Sequence, residues 1–155
     1  MPALDHVNVV VTDMDRSVTF YCSILGLVPV MDRMLDGEWF QRVAGIAAAR
    51  ARCVILDAPG GGCRVELLEF AQAHRTDASP AASLPATTGL RHLAIRVTDL
   101  DRRIAVLKAR YGQEAMVAAV PMDIVKSGKR MCYILDPDGA IIELCEYGAE
   151  RPEFC

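Results

Sequence analysis

Two histidines and two glutamates occupy matching positions in an internal repeat of this chain. Residues 4–26 read LDHVNVVVTDMDRSVTFYCSILG, and residues 90–112 read LRHLAIRVTDLDRRIAVLKARYG. At an offset of 86 the two stretches share eight identities in 23 positions, and His6 is aligned with His92. Further along, GCRVELLEF and GAIIELCEY align Glu66 with Glu143 at an offset of 77. Packing alone does not require these polar residue types in both copies, so the repeat indicates a shared role.

The residue types in this repeat are those of a metal site. Side chains alternate between the two faces of a strand, so His6 and Glu66 are each expected on one face of a sheet. Two related modules joined by a pseudo-two-fold axis would bring His6, Glu66, His92 and Glu143 together. Imidazole and carboxylate without thiolate suit Zn²⁺, Ni²⁺, Co²⁺, Mn²⁺ or Fe²⁺.

A purely structural role is the alternative for each residue taken singly. A lone histidine in a strand is more often hydrogen-bonded within the fold than bound to a metal. A glutamate in an apolar strand such as IIELC is harder to explain that way, because burying an unpaired carboxylate is costly. The occurrence of both types in both copies favours the metal hypothesis.

The elements around these residues repeat as well, and they predict an α+β fold of two βαβββ modules. Asp13 is a typical N-cap, and Gly26 is a typical residue after a helix end. Asp36 and Gly37 read as a turn, and 38–45 as either a short helix or an irregular strand. The predicted strands of the first module are 4–11, 27–35, 51–57 and 63–70. The second module has strands 91–97, 115–120, 130–135 and 140–147, with a helix over 100–111.

Composition and charge exclude several classes of function. The chain has 155 residues, 52% of them hydrophobic, and a net charge of −3, which gives no basic surface for nucleic acid or anionic membrane. No apolar run approaches the roughly 20 residues that a membrane span needs. The cysteines show no CxxC pair, so Cys22, Cys53, Cys63, Cys132 and Cys145 are expected to be free thiols of a cytoplasmic protein.

Three stretches together resemble the vicinal oxygen chelate superfamily: DHVNVVVTDMDRSVTFYCSILG, HLAIRVTDLD and DPDGAIIELCE. The superfamily includes glyoxalase I, methylmalonyl-CoA epimerase, extradiol dioxygenases, fosfomycin-resistance enzymes and metal-free bleomycin-binding proteins. The resemblance implies paired modules that form a cup-shaped mixed sheet around one divalent ion, with His6, Glu66, His92 and Glu143 as its ligands. It implies one domain over 1–155, made of module one (4–70), a linker (71–89), module two (90–147) and a tail (148–155). A homodimer that acts on a small molecule is expected.

The residues that share a face with the four expected ligands are candidates for substrate binding: Asn8, Phe70, Arg96 and Tyr147. In glyoxalase I of the bacterial type, two positions that bind glutathione correspond here to Val10 and Phe70, which counts against glutathione bound in that way. Arg96 is a candidate for binding an anion, and pairing with an acidic residue is its alternative. Lys126, Lys129 and Arg130 read as a basic loop before a strand, whereas His74 in the linker reads as exposed.

The leading hypothesis is therefore a metal-dependent isomerase or lyase that shifts a proton next to a carbonyl group. Glu143 or Glu66 would take the proton, and Glu143 is preferred because it follows the hairpin at 136–139, near the expected rim of the cup. An Fe²⁺ dioxygenase is one alternative, although four protein ligands leave few positions for O₂. A metal-free binding protein is the other, although all four ligand positions are intact.

Overall fold

The computed structural model describes residues 2–71, 86, 88–115, 122–123 and 129–148. It divides into two compact units, Met1–Asp77 and Ala78–Cys155. Within the described residues each unit contains one four-stranded mixed sheet and a helix that connects its first two strands. The predicted α+β fold of two related βαβββ units is confirmed. The assignment of both units to one domain stays a prediction.

The first unit forms a sheet in which the first and last strands lie side by side. Its strands are arranged β1-β4-β3-β2; β1 pairs parallel with β4, and the other neighbours pair antiparallel. The parallel pairing requires a crossover, which the helix between β1 and β2 begins. The elements are β1 (His6–Val10), α1 (Met14–Ser23), β2 (Val28–Leu35), α2 (Gly37–Ala44), β3 (Ala51–Asp57) and β4 (Arg64–Phe70).

Helix α1 begins after the predicted N-cap Asp13 and ends at Ser23, three residues before Gly26. The Asp13 side chain accepts a hydrogen bond from the Arg16 backbone N–H at 3.0 Å, which satisfies one of the free amides of the first turn. Gly26 has a φ of 75°, which favours glycine after a helix end. Phe20 and Tyr21 are fully buried. Their burial fixes the helix on one face of the sheet.

An apolar cluster of the first unit joins one end of the sheet to helix α2. Phe40 and Ala51 are buried in this cluster, and Phe70 packs against it with its ring stacked on that of Phe40. Cys53, Ile55 and Leu68 belong to the same cluster. Since Ile55 and Leu68 share their strand faces with Cys53 and Glu66 respectively, the candidate glutamate lies next to apolar core.

The second unit repeats this arrangement with the strand order β5-β8-β7-β6. Strand β5 pairs parallel with β8, and the remaining pairs are antiparallel. Leu100, Ile104 and Leu107 of its helix are buried, as are Ile142 and Leu144 of the sheet. The elements are β5 (His92–Arg96), α3 (Leu100–Tyr111), a 3₁₀ turn (Gln113–Ala115), β6 (Met122–Asp123), β7 (Lys129–Leu135) and β8 (Ile141–Tyr147).

An arginine on the sheet joins it to the helix in each unit. Arg52 of β3 contacts Asp15 of α1 at 2.7 Å, and it also binds Asp32 of β2. Arg130 of β7 contacts Asp101 of α3 at 2.5 Å. It lies near Glu146 of β8 as well. The two Asp positions are an identity of the repeat, so both copies retain the same link between helix and sheet.

Three expectations about elements need correction or lie outside the described residues. The predicted turn at Asp36 and Gly37 is instead the start of helix α2, which settles the open assignment of 38–45 in favour of a helix. Gly37 has a φ of 81°, which is a turn conformation, and the helix follows directly from it. Ala115 ends a 3₁₀ turn, and 116–120 lie outside the described residues, as do Lys126, His74 and most of the linker and tail.

The cysteines agree with the sequence-based expectation. The five cysteines Cys22, Cys53, Cys63, Cys132 and Cys145 are free thiols, as predicted. Among the described residues, no helix has the length and apolar character that a membrane span requires.

Candidate metal-binding residues

The first unit brings His6 and Glu66 together through the parallel pairing of two strands. Strand β1 lies beside β4 with Asn8 opposite Glu66, so His6 is two residues away on the same face. The His6 Nε2 and Glu66 Oε2 atoms are 3.6 Å apart. The imidazole and the carboxylate that were predicted from the repeat are therefore neighbours in this unit.

A carboxylate on the other side of the His6 ring orients it. His6 Nδ1 lies 2.8 Å from Asp5 Oδ1, and the Arg64 guanidinium binds the second oxygen of Asp5 at 2.6 Å. The hydrogen bond with His6, and secondly the one with Arg64, lower the pKa of the Asp5 carboxyl below its ordinary value. In a neutral ring whose Nδ1 donates to Asp5, Nε2 is the acceptor and faces Glu66. This is how histidine ligands of metals are commonly held.

Neutral groups hold the Glu66 carboxylate. Asn8 Nδ2 donates to Oε2 at 3.1 Å, and the Cys53 thiol donates to Oε1 at 3.5 Å. Burial and the nearby Glu66 charge raise the pKa of Cys53 to about 12, so at neutral pH the thiol keeps the proton that it donates. Neither partner brings a positive charge to Glu66.

The second unit holds His92 and Glu143 in the equivalent arrangement. His92 Nε2 lies 3.4 Å from Glu143 Oε2, and Ala94 is opposite Glu143 where the first unit has Asn8 opposite Glu66. The His92 ring also packs against Tyr133, with a centroid distance of 5.3 Å. Glu143 is only 5% exposed. A carboxylate this deeply buried needs a charged or hydrogen-bonding partner.

Lys129 is that partner. Its Nζ atom contacts Glu143 Oε1 at 2.7 Å, and both side chains are largely buried. The hydrogen bond to Glu143 raises the pKa of Lys129, so the lysine is charged at neutral pH. Nζ also lies 5.7 Å from the centre of the Tyr147 ring. Lys129 begins strand β7, whereas the sequence analysis placed it in a basic loop.

Each pair has the chemistry and the spacing of two ligands of one divalent ion. Ligands bound at about 2.0–2.2 Å, at tetrahedral or octahedral angles, lie roughly 3.0–3.5 Å from each other. The observed separations of 3.6 and 3.4 Å are close to this range. Among the described residues, no group of three or more His, Cys, Asp or Glu is arranged to hold an ion. Within its own unit each pair therefore supplies two donors.

The four candidates for substrate binding have different surroundings. Asn8 and Arg96 are exposed, and Asn8 already donates to Glu66. Tyr147 is half-buried near Lys129. Phe70 stacks on Phe40 in the apolar cluster of its unit, which gives its ring a packing role. Their contact with a substrate stays a prediction.

Sequence reasoning missed the groups that hold the four candidate ligands: Asp5, Arg64, Cys53 and Lys129. Asp5 is adjacent to His6 in the chain, and this could have identified it. Cys53 and Lys129 could have been found from the strand register, because they share sheet faces with Glu66 and Glu143.

Comparison with known proteins identifies the family. The model of the Glyoxalase/Bleomycin resistance protein/Dioxygenase superfamily matches residues 3–144. A 2-epi-5-epi-valiolone epimerase from an Actinomyces species is 31% identical, over 97% of this chain and 82% of that protein. The lactoylglutathione lyase GLX1 of Arabidopsis thaliana is 25% identical, over 97% of this chain and 46% of that protein. A glyoxalase family protein from Bacillus cereus has a similar structure, with a TM-score of 0.81 and 26% identity over 95% of both chains. The resemblance is thus confirmed, and the chain belongs to the glyoxalase/bleomycin resistance protein/dioxygenase superfamily, whose members include epimerases and lyases.

Proposed function

We propose that the protein is a divalent-metal-dependent isomerase or lyase that moves a proton next to a carbonyl group. The observation that carries the proposal is the same in both units: a histidine Nε2 lies within 3.6 Å of a glutamate carboxylate on one sheet face. The proposed ligands of the ion are His6, Glu66, His92 and Glu143. The epimerase and the lyase among the similar proteins support a reaction of this class.

The reaction needs a group that stabilises charge and a group that takes the proton. His6, Glu66, His92 and Glu143 would hold a divalent ion, whose charge would stabilise the negative charge that develops on the carbonyl oxygen. The base must be a carboxylate of this chain that reaches the substrate's acidic proton. Positioned acid–base catalysis of this kind contributes about 10²–10⁴-fold.

Both glutamates remain candidates for the base, and their contacts now favour Glu66 over the sequence-based preference for Glu143. The Glu143 side chain is 6% exposed, and Lys129 contacts its Oε1 atom. The Glu66 side chain is 18% exposed, and its hydrogen-bond partners Asn8 and Cys53 are neutral. Glu66 is therefore the more accessible of the two carboxylates to a substrate. In this assignment Glu143 stays paired with Lys129 and remains a proposed ligand of the ion.

Four residues are proposed to contact the substrate. Arg96 is exposed on the sheet face that carries His92, so it is available to an anionic or polyhydroxylated substrate. The Asn8 amide nitrogen donates to the backbone oxygen and to Oε2 of Glu66, so its side-chain oxygen is the atom offered to a substrate hydroxyl. Tyr147 shares a strand face with Glu143, and Phe70 shares one with Glu66.

Exchange of the substrate's acidic proton with solvent deuterium tests the function and the base together. The metal-loaded protein is incubated in D₂O with polyhydroxylated cyclic ketones, the methylglyoxal–glutathione hemithioacetal and 2-methyl-branched acyl-CoA thioesters. We expect exchange with at least one of these compounds. Glu66→Gln should slow it by about 10²-fold or more while metal is retained, because glutamine keeps an oxygen donor but is no base. Glu143→Gln should retain more of the exchange.

Three other outcomes are informative. Loss of exchange only in Glu143→Gln would restore the sequence-based assignment of the base. Full exchange in both metal-retaining variants would show that neither carboxylate takes the proton. If the loaded wild type exchanges none of the compounds and does not change any of them, the proposed reaction class is wrong.

A further inference from the structure

An alanine occupies the position of the first unit that is equivalent to Lys129. Strand β7 pairs Lys129 with Tyr147, and strand β3 pairs Ala51 with Phe70, so these two positions are equivalent in the repeat. Ala51 is buried in the apolar cluster of its unit. A lysine therefore contacts Glu143 directly, whereas the hydrogen-bond partners Asn8 and Cys53 of Glu66 are neutral.

The contact engages one oxygen of Glu143 and leaves the other beside the histidine. Lys129 Nζ is 2.7 Å from Oε1, whereas Oε2 lies 3.4 Å from His92 Nε2. The exposed fractions of the two side chains are 15% for Lys129 and 6% for Glu143, so water screens their attraction less than that of a surface pair. In the metal-free chain the lysine supplies the positive charge that a bound ion would otherwise supply to this carboxylate.

We propose that Lys129 is a built-in competitor of the divalent ion for Glu143, a positioning residue that holds this carboxylate in place and weakens metal binding. The inference rests on the proposed metal site. Lys129 already contacts the Glu143 carboxylate. A divalent ion that binds Glu143 must therefore share the carboxylate with the lysine, and the two positive charges repel each other. The metal is then released more readily than from four ligands without this lysine.

If Lys129 competes with the ion, removing its charge should increase the affinity for metal, whereas a purely structural role predicts a decrease. Lys129→Met retains a flexible chain of similar length but removes the charge, so Glu143 is left buried and unpaired in the metal-free protein. Binding of an ion then relieves that penalty. If Lys129 only supported the local packing, or only held Glu143 in a productive orientation for metal, its removal would weaken metal binding.

The experiment measures the dissociation constants of Zn²⁺, Ni²⁺, Co²⁺ and Mn²⁺ by competition with a chelator. It uses the wild type and the variants Lys129→Met, Lys129→Arg and Lys108→Met. Lys108 is an exposed residue of helix α3, so its variant makes the same change in net charge on the surface of the same unit. Thermal unfolding with excess chelator and with excess metal is recorded for each protein.

We expect Lys129→Met to bind the ion preferred by the wild type about tenfold more tightly, which corresponds to about 1.4 kcal/mol. Its melting temperature should be lower than that of the wild type in chelator and should rise more on metal addition. Lys129→Arg retains the charge and should bind metal within about threefold of the wild type, as should Lys108→Met.

Two results would overturn the proposal, and they are distinguishable. If the wild type binds metal and Lys129→Met binds it equally or more weakly, the lysine does not compete and the inference fails alone. A matching gain in Lys108→Met would likewise overturn it, because the effect would then come from net charge. If the wild type binds none of the four ions, the proposed metal site fails, and the inference fails with it.

Discussion

The two units share their framework, but they differ in the charges around their His–Glu pairs. In both, an arginine of the third strand contacts an aspartate in the first turn of the helix. In both, a histidine on the first strand lies beside a glutamate on the last. In the first unit, however, an acidic residue, Asp5, contacts the histidine, and neutral groups contact the glutamate. In the second, Lys129 contacts the glutamate.

This difference separates the requirements of a fold from those of a site. The arginine and aspartate link a helix to a sheet, and that link is needed wherever the module folds. In the first unit a carboxylate contacts the histidine and neutral donors contact the glutamate, whereas in the second unit a lysine contacts the glutamate directly. The two units therefore retain the same pair of side chains in different electrostatic surroundings.

The largest expected effect tests the shared framework. Leu67 and Leu144 are equivalent, fully buried residues of the two central strands β4 and β8. Replacing either by alanine should lower the free energy of unfolding by about 2–5 kcal/mol, through lost apolar burial and the cavity left behind. Urea unfolding of both variants is the measurement. A cost below about 1 kcal/mol in only one of them would show that the two cores are not equivalent.

A smaller effect is expected from the residue that orients His6. Asp5→Asn should weaken metal binding by about tenfold, at the low end for an outer-shell carboxylate because Asp5 is 67% exposed. Arg91 occupies the matching position in the second unit, so Arg91→Gln is the control and should change the affinity little. Chelator competition measures both. An equal loss in the two variants would remove the distinction between the units.

The smallest effect is expected from the link between helix and sheet. Arg52→Met should cost about 0.5–1 kcal/mol at neutral pH, because its ion pairs with Asp15 and Asp32 are largely exposed. The hydrogen bond from Arg52 lowers the pKa of Asp32 below its ordinary value of 3.8. That contribution is therefore present above about pH 4 and lost as the pH falls through the lowered pKa.

The difference in stability between the wild type and Arg52→Met should accordingly become smaller as the pH falls. Thermal unfolding from pH 7 to pH 3 measures it, with Arg130→Met as the equivalent variant of the second unit. Arg130→Met should destabilise in the same direction. A difference for Arg52→Met that grows as the pH falls would contradict the assigned pairing.

Much of the framework could be predicted from the sequence because its signals are local. Helix α3 over 100–111 and strand β3 over 51–57 lie within their predicted bounds, since apolar periodicity and turn residues mark both ends. Helix α2 could not be assigned in advance. It is eight residues long, and Gly37 gives the signal of a turn. The strand predicted over 115–120 begins at Ala115, where the structure has a 3₁₀ turn.

The four proposed ligands of the candidate site were predicted from the sequence, whereas the groups that contact them were not. The repeat identifies His6, His92 and the two glutamates because it compares positions within one sequence. Lys129 is opposite Tyr147, four residues away from Glu143 on the neighbouring strand. Its contact with Glu143 therefore depends on the length of the lysine side chain along the strand. No local pattern encodes that reach.

Elemental analysis of protein purified without a histidine tag tests whether the two His–Glu pairs bind one ion. We expect about one divalent ion for each complete set of His6, Glu66, His92 and Glu143, and loss of that ion in both His6→Ala and His92→Ala. Such a result would show that the two pairs serve one site despite their different surroundings. Wild-type protein that takes up no ion after incubation with Zn²⁺, Ni²⁺, Co²⁺ and Mn²⁺ would contradict the account. So would His92→Ala protein that retains its metal in full.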